Sequence, residues 1–234
     1  GDRGRLSAKE VEAAINGDDA HLPKTSLICL EDTVNKGGGC CYDLKEIKAI
    51  SSLAKKKGLG LHLDGARLFN ALTVTGYDYA DYGKQFDSIS ICFSKGLGCP
   101  VGSVLVGSRD FIREAHRVRK GFGGGMRQAG ILAAACGYAL DHHIHRLSDD
   151  HARAKQLATS LSKSSIALDV MPVETNIVIF GVEASTSSKV VERLAQESLI
   201  AVPFGPDHVR FVTHLDFSDH QLQESCKIIE ALEL

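Results

Sequence analysis

The chain has 234 residues, 44% of them hydrophobic and 24% charged, with a formal net charge of −2. These values fit a globular chain that can bury a sizeable core, and they exclude a disordered tail and a strongly basic binder of nucleic acid or membrane surfaces. The longest apolar run, GILAAACGYAL, is too short to span a bilayer, and the opening GDRGRLSAKEVEAAI lacks the basic-then-apolar profile of a secretory signal.

Strand-like and helix-like patterns alternate along the chain, which predicts a mainly parallel sheet with crossover helices. SLICLEDT reads as a strand, the Gly-rich NKGGGCCYD as a turn, and LKEIKAISSLAKKKG as a helix whose three terminal lysines favour its C-terminal dipole. LGLHLD is the next strand, followed by a helix with a loop from Ala66 to about Lys84, the strand SISICFS, and SVLVG, a strand with either orientation open. The helix RDFIREAHRVRK precedes GFGGGMRQ, which opens the Ala-rich helix AGILAAACGYALDHHIHRL. Beyond about Asp149 a polar helix, HARAKQLATSLSKS, leads into NIVIFGV (strand), SSKVVERLAQES (helix), IAVPFG and HVRFVTH (strands) and DHQLQESCKIIEALE (helix). The expected organisation is therefore a large α/β domain over residues 1–145 and a small α+β domain over 146–234.

Seven cysteines, an odd number without a CxxC pair, read as buried thiols in a reducing compartment, with the cytoplasm as the expected location. His142, His143, His145 and His151 cluster without the carboxylate–histidine pattern of a known metal site; they read as a solvated helix end, and no metal is expected.

Asp64 and Lys95 each close an apolar strand, each precedes a glycine, and one helical crossover separates them. Strands so joined are parallel and often adjacent, so both side chains are expected at the carboxyl edge of the sheet, where open α/β folds keep ligands. Singly, Asp64 reads as a helix N-cap and Lys95 as a solvated lysine. Together they match pyridoxal 5′-phosphate (PLP) chemistry, in which a lysine binds the cofactor aldehyde and a carboxylate keeps the pyridine nitrogen protonated. Arg67, three residues on, is expected at the same edge, facing a ring oxygen or a substrate carboxylate. GFGGGMRQ, with Lys120 and Arg127, reads either as an anion-binding helix start or as a flexible turn.

The segments DDAHLPKTSLICLEDT, HLDGARLFNA, SICFSKGLGCPVGSVLVGSRDFI, RKGFGGGMRQAGILAAA and VRFVTHLD resemble low-specificity L-threonine aldolases, of the β-eliminating-lyase branch of fold-type-I PLP enzymes. The resemblance implies a partial fold-type-I large domain with a small C-terminal α+β domain. It further implies Lys95 as the cofactor lysine, Asp64 as the pyridinium partner, Arg67 as a ligand of ring oxygen and substrate carboxylate, and Arg210 as the small-domain clamp of that carboxylate. His21 corresponds to a histidine near the substrate β-hydroxyl. Lys120 and Arg127 correspond to basic residues that reach the cofactor phosphate of a neighbouring subunit, which implies a homodimer or homotetramer with a small amino acid as substrate.

Two departures stand out. Glu31-Asp32-Thr33-Val34-Asn35 replaces the family's usual Glu-Asn-Thr-His-Asn, and the family's front third, with its phosphate-binding loop and ring-stacking histidine, has no counterpart here. The expected activity is cleavage of L-threonine or L-allo-threonine to glycine and acetaldehyde. The alternatives are another PLP-dependent β-eliminating lyase, or a non-catalytic remnant that binds a full-length partner. A sheet without its first strands is also expected to expose apolar surface.

Overall fold

The computed structural model describes residues 1–233, which divide into two compact units: residues 1–37 with 41–144, and residues 38–40 with those from 145 onward. The first unit runs α1 (Ala8–Ala14), β1 (Leu27–Glu31), α2 (Leu44–Lys57), β2 (Gly60–Gly65), α3 (Leu68–Thr75), α4 (Tyr79–Gly83), β3 (Ser88–Cys92), β4 (Ser103–Gly107), α5 (Arg109–Gly121) and α6 (Gly130–His142). Its strands lie in the order β1-β2-β3-β4, with the first two pairings parallel and β4 antiparallel to β3. This settles the orientation of SVLVG.

Local chemistry explains the boundaries. Asp43 caps α2 by accepting from the Lys45 N–H at 2.8 Å, and Gly58 ends the helix in the left-handed region at φ 66°. Between those limits Ile47, Ile50, Ser51 and Ala54 form one buried stripe. In β2 the buried Leu61 and Leu63 alternate with half-exposed Gly60 and His62, as the period of two requires. The helix with a loop expected from Ala66 to about Lys84 is α3 followed by a second short helix, α4, because Gly76 turns left-handed at φ 67° and Asp78 caps a new start on the Asp81 N–H at 2.8 Å. Helix α1, absent from the sequence expectations, carries a Ser7/Glu10 capping box.

The last elements of this unit are thinly covered. All five residues of β4 are exposed, α5 has no buried residue, and in α6 only Ala139 is buried. Phe122 and Ile131 are 89% and 80% exposed.

The second unit runs α7 (Leu147–Leu161), β5 (Asp169–Val170), β6 (Ile177–Gly181), α8 (Ser187–Gln196), β7 (Val202–Pro203), β8 (His208–Val212) and α9 (Asp219–Ala231), with an antiparallel sheet ordered β5-β6-β8-β7. Val178 and Phe180 of β6, with Val209 and Phe211 of β8, pack in one core with Leu157 and Leu161 of α7, Val190 and Leu194 of α8, and Leu222 and Ile229 of α9. Gly39 belongs to this unit for a steric reason. A Cβ there would fall 2.5 Å from Thr175 Oγ1, whose hydroxyl donates to the Gly39 carbonyl at 2.7 Å.

The histidine cluster is not a uniformly solvated helix end. Helix α7 begins at Leu147 and carries His151 inward to 5% exposure. Burial, aided by the nearby Lys155 charge, lowers the His151 pKa to about 4. A depressed histidine contributes stability that is present above its unfolded value near 6.5 and lost as the pH falls towards 4. The second unit should therefore lose about 3 kcal/mol across that window. Hydrogen exchange of the β6 and β8 amides, followed from pH 7 to 4, should show this loss, and His151→Gln should flatten it.

Among the described residues no helix is long and apolar enough to cross a membrane, and no group of three or more His, Cys, Asp and Glu side chains could hold a metal ion.

Candidate active site

Strand β2 delivers Asp64 and strand β3 leads to Lys95. The two strands are adjacent and parallel, with Asp64 opposite Ser90, and Lys95 follows Ser90 by five residues. Both side chains are exposed at this carboxyl edge rather than buried in the sheet. Gly65 permits the close approach: a Cβ there would lie 2.8 Å from the Ser90 carbonyl oxygen.

Asp64 is not the N-cap of the following helix. Its Oδ1 accepts from the Ala66 N–H at 3.0 Å, a local turn bond, while Arg67 occupies the cap position of α3. Its carbonyl accepts from the Asp32 N–H at 3.0 Å, which extends the β1–β2 pairing one step beyond Glu31.

Lys95 sits in a closed reverse turn. The Cys99 N–H donates to the Phe93 carbonyl at 3.0 Å and the Gly98 N–H to the Lys95 carbonyl at 2.9 Å, with Gly98 left-handed at φ 70°. The turn is tied to α6 as well: His143 Nδ1 donates to the Leu97 carbonyl at 2.6 Å, and the Cys99 thiol reaches the Ala135 carbonyl at 3.5 Å. Burial, with the hydrogen-bonded Cys136 thiol, raises the Cys99 pKa to about 11, so this thiol stays protonated at neutral pH.

Arg67 is half-buried at the start of α3, two residues after β2 ends. His21 lies exposed in the loop between α1 and β1, its N–H donating to Asp19 at 2.9 Å. Among the described residues no hydrogen bond or ion pair joins it to Asp64 or Lys95. Lys120 is in the last turn of α5 and Arg127 in the connection to α6, both exposed. Arg210 lies on β8 of the second unit opposite Ile179, its guanidinium 5.2 Å from the centre of the Phe204 ring.

The glycine cluster does not offer its amides to an anion. The Gly123 and Gly124 N–H groups donate back to the Lys120 and Arg119 carbonyls at 3.1 and 2.8 Å, and the Gly125 N–H donates to the Gly123 carbonyl at 3.0 Å. These bonds terminate α5 rather than open α6, which starts only at Gly130. GFGGGMRQ thus forms a turn whose glycine amides are engaged within the backbone.

A buried pair went unnoticed in the sequence. The Tyr82 hydroxyl donates to Asp32 Oδ2 at 2.5 Å, and burial together with the carboxylate pushes the phenol pKa far up. The signal was the aspartate where the family has asparagine, but its partner lies 50 residues away. A separate cavity of about 510 Å³ lies wholly within the second unit, lined by Leu157, Ile200, Phe211, His214 and Glu224 among others. It contains neither Lys95 nor Asp64.

Comparison with known proteins gives this geometry a context. The family model described as beta-eliminating lyase matches residues 1–185. The chain is 41% identical over 227 residues to a probable low-specificity L-threonine aldolase 2 of Arabidopsis thaliana, covering 92% of this chain and 62% of that protein. It is likewise 41% identical over 223 residues to the low specificity L-threonine aldolase of Escherichia coli strain K12, covering 94% and 64%. The chain thus spans less than two thirds of the length of these relatives. Among solved structures, a Leishmania major threonine aldolase superposes with a TM-score of 0.81 at 21% identity, over 97% of this chain and 67% of that one. A putative L-allo-threonine aldolase of Listeria monocytogenes gives 0.76 at 21%, over 97% and 65%. The fold is therefore the fold-type-I α/β fold that the sequence implied, and the chain belongs to the beta-eliminating lyase family.

Proposed function

We propose that this chain carries the lysine-centred part of a PLP-dependent aldolase that cleaves L-threonine or L-allo-threonine to glycine and acetaldehyde. The observation that carries the reading is the placement of Asp64 and Lys95 at the carboxyl edge of adjacent parallel strands, both accessible. The chemistry of this donor set fits the cofactor: an amine for its aldehyde and an anionic partner for its ring nitrogen. The threonine aldolases at 41% identity support the choice of substrate.

When bound, PLP would supply an electron sink for the Cα–Cβ bond electrons. The chain's own residues have narrower tasks. Lys95 would hold the cofactor through its amine, and as an ammonium it could carry a proton. Asp64 keeps a proton on the ring nitrogen through its negative charge. Arg67 is proposed as a ligand of a ring oxygen and the substrate carboxylate, and Arg210, on the second unit, as a carboxylate clamp, each through its bidentate fork. His21 takes the β-hydroxyl proton as general base. The phosphate falls to the side-chain charges of Lys120 and Arg127 of a neighbouring subunit in a homodimer or homotetramer, since the glycine amides between them are engaged. In this reading the first unit is the cofactor domain, the second the substrate-clamping domain, and the enzyme works in the cytoplasm.

The test is direct. Purified chain mixed with PLP and reduced with borohydride should carry the label on the peptide containing Lys95, and L-threonine should yield glycine and acetaldehyde in equal amounts. A label elsewhere, or none, overturns the assignment of Lys95. Pyruvate and ammonia as main products would instead make the enzyme a β-eliminating lyase, and stable folding without PLP capture would make it a non-catalytic remnant.

A further inference from the structure

The Lys95 ammonium has no hydrogen bond or ion pair among the described residues, so the aim of this side chain depends on its backbone. That backbone, Phe93 to Cys99, is closed on itself by the two turn bonds described above and by the Phe93 N–H donating to the Gly102 carbonyl at 3.1 Å. A turn closed only internally can still pivot as a body about its ends. What opposes pivoting is the bond from the His143 imidazole to the Leu97 carbonyl, across 46 residues of sequence, at 2.6 Å.

We propose that His143 is a positioning residue for Lys95, acting through the Leu97 carbonyl. A carbonyl only accepts, so in this bond Nδ1 is the donor and carries a proton. The ring is held from a second side: Tyr138, one helical turn earlier on α6, meets it edge-on with centroids 5.4 Å apart. The carbonyl end is equally constrained, because the Leu97 side chain is buried and Gly98 takes the left-handed conformation immediately after it. The Cys99 thiol at the Ala135 carbonyl adds a weaker tie between the same turn and the same helix. Helix α6 thus ties down the turn that presents the lysine amine, as a supporting shell keeps a reactive group in register.

This inference rests on the reading of Lys95 as the cofactor lysine for its purpose, but not for its structural content, and two readouts separate them. In His143→Leu the donor is lost; in His143→Asn the side-chain amide places an N–H near the Nδ1 position. Hydrogen exchange of the Gly98 and Cys99 amides should accelerate about tenfold in the leucine variant, the factor for loss of one hydrogen bond, and stay near wild type in the asparagine variant. Exchange in β2 and β3 should not change in either, which a general loss of stability would not allow. The PLP concentration for half-maximal borohydride capture at Lys95 should rise about tenfold with leucine and recover with asparagine. Should the leucine variant fail to fold, His143→Ala is read in the same way. Unchanged turn exchange in a folded leucine or alanine variant overturns the proposal, as does equal acceleration by asparagine. If wild type captures no PLP, the functional reading fails, and the exchange comparison still decides the role of His143.

Discussion

Replacing Arg146 by leucine is expected to destabilise the second unit by about 3–5 kcal/mol, the range for stripping one partner from a buried ion pair. Asp150 is fully buried in the first turn of α7, and Arg146, 13% exposed, grips it with both terminal guanidinium nitrogens, Nη1 to Oδ2 at 3.1 Å and Nη2 to Oδ1. The only other cation within ion-pair reach among the described residues is Arg153, at 3.8 Å, whose Nε is already committed to Asp219 at 2.7 Å. The helix N-terminus favours a carboxylate at Asp150, but a dipole contribution of about 0.3–1 kcal/mol does not offset the desolvation of an unpaired charge. Arg146→Leu should therefore lower the denaturant midpoint of the second unit strongly. The double variant Arg146→Leu/Asp150→Leu should regain most of the loss, since it removes the stranded charge. A single variant within 1 kcal/mol of wild type would show that Arg153 or solvent suffices for Asp150.

Much of this architecture was legible in local sequence. The alternation in LGLHLD, the Asp43 and Gly58 limits of α2 and the position of Lys95 after an apolar strand are short-range signals, and the structure has these elements where those signals lie. The edge that brings Asp64 beside the Lys95 turn followed from the same reasoning, because a parallel crossover constrains where strand ends fall. What escaped was long-range or concerned the destination of backbone groups. The Tyr82 bond to Asp32 and the His143 bond to Leu97 join residues 50 and 46 positions apart, and no periodicity encodes such pairs. The glycine run in GFGGGMRQ announced a turn, but whether its amides face a ligand or cap α5 depends on three backbone bonds invisible in composition. His151 was misread as solvated because α7 starts four residues before it, a boundary set by packing of Leu147 rather than by a capping side chain. Helix α1 was a different kind of omission, since its capping box is present in the sequence.

The sharpest test of the proposed chemistry contrasts Lys95→Ala with Asp64→Asn, because the two residues do separable work at one edge. With alanine at position 95 the borohydride-fixed bond to PLP should vanish, since no other amine follows β3 at that point, and turnover should fall with it. Asparagine at position 64 should leave that bond in place. Its amide oxygen can still accept from the Ala66 N–H, as Asp64 Oδ1 does at 3.0 Å, so the turn that carries Arg67 into α3 keeps its geometry. What disappears is the negative charge that holds a proton on the ring nitrogen. Without it bound PLP would be a weaker electron sink, and a loss confined to the transition state lowers kcat rather than substrate binding. The expected result is a fall in kcat of about 10²–10³, or roughly 3–4 kcal/mol, with little change in KM or in the yield of Lys95 capture. An asparagine variant that turns over within threefold of wild type would remove Asp64 from the mechanism while leaving Lys95 in it. One that loses capture altogether would instead make Asp64 a residue of cofactor binding.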